Sequence, residues 1–201
     1  MKIRMYRNCF LGIDDGYFDI AFKKLEYKGE TYLVGVVTCP WTLNDIFIDL
    51  ITIDGLEGTK KALKMIESAL SLHIINVVFL DGVTYAGFNI IDPFRIFNVL
   101  RVPIITIFRH DLDLNKIFIA LKRHFNDYTY RYHIIERVYT LSHEVFINDS
   151  KIKYTPIGIS IGDAEHILKN FSKLYSYPYP LHVADKIASL LGRIKFKSFH
   201  R

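Results

Sequence analysis

Three aspartates stand where apolar runs of strand length end: Asp14 after Phe10–Ile13, Asp54 after the stretch from Ile46 to Ile53, and Asp81 after Val77–Leu80. Runs of this kind read as buried strands, and the end of a buried strand is where a sheet presents side chains to a crevice. Carboxylate oxygens brought together from separate strands suit Mg²⁺ or Mn²⁺. Metal held this way serves phosphodiester cleavage. Asp-Gly at a strand end is also ordinary turn chemistry, and both readings stand at this level.

Close carboxylates without counter-charge repel and raise one another's pKa, a conflict that a divalent cation resolves. Asp14 is weighted above Asp15 because it directly continues the strand. Glu57, three residues after Asp54 at a helix start, is a candidate in place of Asp54 or beside it, and equally suits a first helical turn. Arg109, at the end of the run Pro103–Phe108, offers a guanidinium that matches phosphate oxygens, or an ion-pair partner for Asp111 or Asp113.

Strands and helices must carry these residues to one place. The 201 residues are 50% hydrophobic and 14% aromatic, enough for a real core, and one domain over residues 1–201 accounts for them. No apolar run approaches the roughly eighteen residues of a membrane span, and residues 1–13 do not make a signal sequence, so the expectation is a cytoplasmic protein with no membrane partner. A net charge of +5 permits a polyanionic partner, with basic clusters over Lys116–Arg137, at Lys151 and Lys153, and in the tail from Arg193. Cys9 and Cys39 are expected to pack as small apolar residues rather than to form a disulfide or bind metal, and no Cys/His spacing suits zinc.

Alternation predicts strands over Phe10–Asp14, from Phe18 toward Tyr27, and over Tyr32–Val37, an antiparallel meander. Helical period follows from about Glu57 to Leu72, then a strand at Val77–Leu80, a helix at Asp92–Leu100, a strand at Pro103–Phe108 and a helix capped by Asn115. Residues 130–161, rich in β-branched and aromatic side chains, are expected to add strands or a flap and to end in a strand at Ile157–Ile161. Helices near Asp163–Leu174 and Leu181–Leu191 close the chain. A meander followed by strand–helix steps with right-handed crossovers is the inventory of an α/β, ribonuclease H-like mixed sheet flanked by helices.

The ordered set Gly12–Ile13–Asp14, Thr52–Ile53–Asp54, Leu80–Asp81–Gly82, Pro103–Arg109, Pro156–Asp163 and Tyr179–Asp185 resembles endonuclease V and a related archaeal family of uncharacterised proteins. The resemblance runs from about Leu11 to Leu191. It implies a divalent-metal-dependent nuclease acting on DNA or RNA, with Asp14, Asp54 and Asp81 as metal-binding carboxylates. Asp54 stands where endonuclease V has glutamate, Arg109 where it has a functional lysine, and Asp163 where it has a histidine near the metal. Asp81–Asn89 is closer to the archaeal relatives: Gly87 and Phe88 replace a histidine-proline-arginine segment. Pro40-Trp41 is the nearest aromatic candidate for the wedge that endonuclease V uses.

The alternative is a nucleic-acid-binding protein that keeps the fold and the acidic cluster without cleaving. A nucleotide-binding enzyme ranks last, because no GxGxxG or GxxxxGK[ST] loop follows any strand. No serine or cysteine in an elbow context accompanies the histidines, so a nucleophilic triad has no support.

Overall fold

In a computed structural model, which describes residues 9–18, 29–148, 150–175 and 177–199, the first strand β1 (Cys9–Asp15) is the centre of the fold. It is buried along nearly its whole length and pairs on both sides. On one side β2 (Glu30–Thr38) runs antiparallel to it and β3 (Leu43–Thr52) antiparallel to β2. On the other side β4 (Ile75–Asp81) runs parallel to β1, and β7 (Ile104–Phe108) parallel to β4. β9 (Ser150–Ile157) is antiparallel to β7, and β8 (His143–Ile147) closes that edge. The sheet order is therefore β3-β2-β1-β4-β7-β9-β8, with a two-stranded hairpin of β5 (Thr84–Tyr85) and β6 (Asn89–Ile90) standing apart.

Each crossover carries a helix. α1 (Gly58–Leu72) and α2 (Pro93–Leu100) cover one face, packing Ala62, Met65, Ile66 and Ile96 on Leu11, Ile13, Val78 and Leu80. α5 (Ile161–Phe171) and α6 (Tyr179–Phe199) cover the other, where Leu168 and Leu181 meet Phe10, Phe79 and Ile107. α3 (Leu114–His124) and α4 (Tyr128–Thr140) form a satellite core with Val83, Ile90 and Phe108. Among the described residues no helix is long and apolar enough to cross a membrane.

The strand–helix steps follow the sequence, but the meander is made of β1, β2 and β3, with β1 paired directly to β2 rather than through the strand expected from Phe18 toward Tyr27. Phe18 is in no strand, and the rest of the strand expected toward Tyr27 lies outside the described residues. The first third of the 130–161 region, expected to add strands or a flap, is helix: Arg131, Ile134, Ile135 and Val138 are buried at a spacing of three and four, so tertiary packing of one helical face overrides β propensity. β9 stops at Ile157, and Ser160, expected within a strand, instead caps α5 by accepting from Asp163 N. Asp113, not Asn115, caps α3.

The cysteines also depart from expectation. Cys9 and Cys39 face each other across the end of the β1–β2 ladder and form a disulfide. Their sequence separation of 30 means that the bond removes roughly 3–4 kcal/mol of chain entropy from the unfolded state. They read as packing residues because the sequence does not reveal that β1 and β2 pair with their ends level.

Candidate acidic site at the sheet rim

The pleat decides which carboxylates meet. Successive side chains of a strand point to opposite faces. In β1, Leu11 and Ile13 face α1, whereas Phe10 faces α5 and α6, so Asp14 continues the Phe10 side. In β4, Val78 and Leu80 face α1 and Phe79 faces α5 and α6, so Asp81 also lies on the α6 side. The parallel register pairs Ile13 with Leu80, which sets Asp14 level with Asp81 on adjacent strands. Arg109, one step past β7, shares the side of Ile105 and Ile107. Asp14, Asp81 and Arg109 thus converge on one face of one rim.

α6 supplies a third carboxylate, Asp185. The helix can come this close because residue 12 is glycine: a Cβ there would lie 2.4 Å from Leu181 N and 2.5 Å from Pro180 C. Ala184 and Ala188 then seat the next two turns on Val34 and Val36. In the sequence Asp185 stands at the end of the Tyr179–Asp185 motif, without being singled out there as a metal-binding carboxylate.

The electrostatics record the convergence. Burial raises the Asp14 carboxyl well above its ordinary range, and the neighbouring charges of Asp81, Asp15 and Asp185 add to the shift. Asp14 is 4% exposed; its Oδ1 accepts from Asp15 N at 2.8 Å, while Oδ2 is buried with no hydrogen-bond partner. Asp15 turns to the opposite side, where its Oδ2 accepts from Ala86 N at 2.7 Å; burial pushes it up to about 7 against that hydrogen bond. Burial also raises Asp81, opposed by the charge of Arg109.

Arg109 closes an ion pair with Asp81 Oδ2, and its guanidinium sits 4.8 Å from the centre of the Tyr177 ring. The alternative partners are engaged elsewhere: Asp111 pairs with Lys153 at 2.7 Å, and Asp113 pairs with Lys116 and caps α3. The Tyr177 hydroxyl is buried beside Asp81 without making a hydrogen bond of normal geometry, and burial together with the Asp81 and Asp14 charges pushes this phenol far up. A cleft of about 260 Å³ opens beside these groups, lined by Arg109, Lys151, Tyr175, Tyr177, His182, Asp185 and Lys186. The Tyr175 and His182 rings stack in it at 3.9 Å.

Other sequence candidates lie outside this convergence. Asp54, just past β3, is at the same rim but two strands from β1. It adopts a left-handed φ of 56°, its N–H donates to Ala86 O, and its Oδ1 accepts from Phe88 N at 2.8 Å. Asp54 therefore anchors the β5–β6 hairpin, and it is not among the charges that act most on Asp14. Glu57 closes the turn after β3, accepting from Thr52 N and Leu56 N. β9 runs antiparallel to β7 with Ile157 level with Ile104, so Asp163, six residues on, lies at the opposite rim, exposed and bonded to Ser160 at 2.6 Å. Trp41 is at that opposite rim too, past the end of β2 and stacked on Phe171 at 5.3 Å.

The donor set of Asp14, Asp81 and Asp185 is all oxygen and carries more negative charge than Arg109 balances, the chemistry of a site for a hard divalent cation. The unpartnered Asp14 Oδ2 is an acceptor of that kind. Among the described residues no three carboxylates bring their oxygens within 4.8 Å of one another, so a shared ion requires these side chains to draw closer.

Similarity to known proteins agrees with the fold. A family model described as "Endonuclease dU" matches residues 7–192. The UPF0215 protein of Pyrococcus horikoshii is 33% identical over 186 residues, covering 89% of each chain, and that of Thermococcus sibiricus 31% over 180 residues, again 89% of each. A crystal structure of a protein of unknown function from Archaeoglobus fulgidus superposes with a TM-score of 0.74 at 27% identity, covering 91% of this chain and 97% of that one. Ciona intestinalis endonuclease V, in complex with a DNA containing an inosine followed by a ribo-adenosine, superposes at 0.62 with 15% identity, covering 96% and 87%. Human ENDOV gives 0.59 at 11% identity, covering 96% and 86%. At such identities the likeness establishes the ribonuclease H-like fold and nothing finer.

Proposed function

This chain belongs to the Endonuclease dU family, and on that premise we propose that it is a divalent-metal-dependent endonuclease acting on nucleic acid, with DNA containing a deaminated base as its substrate. The observation that carries the reading is the buried Asp14 Oδ2, a carboxylate oxygen with no hydrogen-bond partner, level with Asp81 and facing Asp185. Buried carboxylate oxygens left without a partner are costly, and a cation at that point removes the cost.

In this reading Asp14, Asp81 and Asp185 would hold Mg²⁺ or Mn²⁺, and Asp54 supports the rim through the β5–β6 hairpin. The ion, when bound, lowers the pKa of water and neutralises phosphate charge. Arg109 holds Asp81 in place in the absence of substrate and reaches a phosphate oxygen when substrate arrives, a bidentate task that suits guanidinium. Lys151 and Lys186 flank the cleft and attract the phosphate backbone, and the stacked Tyr175 and His182 offer a flat surface to an unpaired base. Asp163 has no part in the site.

The test is cleavage of end-labelled duplexes carrying deoxyuridine, inosine, an abasic site or a flap, with Mg²⁺, Mn²⁺ or EDTA. The expected result is nicking with metal that is absent in EDTA and in Asp81→Asn. No product from any duplex at saturating Mn²⁺ would overturn the reading. The Arg109–Asp81 ion pair favours the second reading, a non-catalytic nucleic-acid-binding protein, because it engages one of the carboxylates. That reading predicts retention of DNA on a filter with no strand cut.

A further inference from the structure

At the rim opposite the acids, four side chains of another chemistry meet. Cys9 begins β1, Cys39 follows β2, His73 caps the C-terminus of α1 and Asp45 lies near the start of β3. All four are on the α1 face: Cys9 and Cys39 pack with Leu11 and Val37 there, and Asp45 shares its side of β3 with Phe47. One ligand atom each from Cys9, Cys39 and His73 lies within 4.8 Å of the others. The cysteines are 3% and 5% exposed, and the His73 side chain 17%. His73 Nε2 is hydrogen-bonded to Asp45 Oδ2.

We propose that this corner is a thiol-gated metal site: closed while Cys9 and Cys39 are joined, and on reduction a binding site for a thiophilic divalent cation of the zinc class. Two thiolates and an imidazole are a frequent zinc donor set. A carboxylate on the ring nitrogen of a histidine is the arrangement that fixes such an imidazole for a metal, and Asp45 supplies it or serves as the fourth ligand. Zinc–sulfur and zinc–nitrogen bonds of about 2.3 and 2.0 Å in a tetrahedron put ligand atoms roughly 3.5–3.8 Å apart. The histidine needs an adjustment of at most about 1.3 Å to reach that spacing, and the sulfurs part only when their bond is reduced.

The step balances with a dithiol as reductant. The dithiol gives two electrons and two protons and becomes a cyclic disulfide; the Cys9–Cys39 bond breaks to two thiols; Zn²⁺ then displaces the two thiol protons to solvent. Nothing in the step involves Asp14 or Asp81, so the site stands apart from the proposed nuclease centre.

The test uses the full chain, reduced with a dithiol under anaerobic conditions and desalted, beside the oxidised chain. The Asp81→Asn variant, in both forms, keeps the acidic rim from contributing. Reduced protein should bind one Zn²⁺, and Co²⁺ in its place should give a thiolate charge-transfer band; oxidised protein should show neither. His73→Gln should weaken Zn²⁺ binding by about 10-fold or more, and Asp45→Asn by a similar factor. Zn²⁺ should slow alkylation of both thiols in the wild type, a readout that needs no cysteine variant to fold. The proposal is overturned if the reduced chain gives no thiolate band, if Zn²⁺ leaves alkylation rates unchanged, or if His73→Gln binds as tightly as wild type.

Discussion

Arg109 at the end of β7 and Asp81 at the end of β4 form an ion pair across adjacent parallel strands, with the guanidinium lying over the Tyr177 ring. The pair has consequences for both metal binding and catalysis. Arg109 competes with a cation for Asp81, yet it is also the positive charge nearest to where a phosphate would sit. Arg109→Gln should therefore tighten Mn²⁺ binding about two- to fivefold, the scale of a partly exposed ion pair, while lowering cleavage by roughly 10²-fold. Calorimetric titration and single-turnover cleavage read the two effects separately. A fall in both would show that Arg109 builds the metal site instead of competing with it.

Asp14→Asn and Asp81→Asn should each abolish metal-dependent cleavage, but only the former should stabilise the metal-free chain. Burial and three neighbouring carboxylates disfavour the Asp14 charge, and an amide relieves that repulsion. Asp81→Asn removes a charge that Arg109 partly compensates. Thermal melts in EDTA separate the variants: a higher Tm for Asp14→Asn, little change or a fall for Asp81→Asn.

Stability should depend on pH in a direction set by the raised carboxyls. Asp14, Asp15 and Asp81 hold protons in the folded state at pH values where the unfolded chain has lost them, Asp15 up to about 7. The folded state binds more protons than the unfolded one over this window, so the stability is present below about pH 4 and is lost as pH rises toward about 7. Metal-free protein should melt progressively lower between these limits. Mn²⁺ should restore Tm at the upper end and have little effect at the lower end; a metal effect of equal size at both ends would contradict the assignment.

Gly12→Ala tests how Asp185 is brought in. The new methyl group would meet the backbone of Pro180 and Leu181, so α6 must shift outward. The expected cost is about 1–3 kcal/mol by urea unfolding, accompanied by weaker Mn²⁺ binding. Unchanged metal affinity in a destabilised variant would remove Asp185 from the ligand set.

Arg131→Met tests the support behind Asp54. Arg131 is 2% exposed, pairs with Asp127 at 3.0 Å, and donates to the carbonyls of Gly55, Phe88 and Asp54. It is the clamp that joins α4 to the turn after β3 and to the hairpin. Leaving those acceptors unpaired should cost about 2–4 kcal/mol in chemical denaturation.

Sequence alone identified the strands that carry Asp14 and Asp81. Apolar runs that stop on Asp14 and Asp81 identify strands whose carboxylates reach a rim, and the switch from alternation to helical period around Glu57 separates the meander from the crossovers. The order of motifs likewise carried the family resemblance, which the match over residues 7–192 bears out. What the chain could not reveal is which face each carboxylate takes. β1 and β4 are buried on both sides, so they carry no polar alternation, and only their packing against α1 and α6 shows Asp14 and Asp81 on one face and Asp15 on the other. The antiparallel run of β9, which carries Asp163 away from the site, and the close seat of Asp185 on Gly12 are relations between segments far apart in sequence. So is the pairing of Cys9 with Cys39. Local propensity is blind to such relations; long-range register and helix docking decide them.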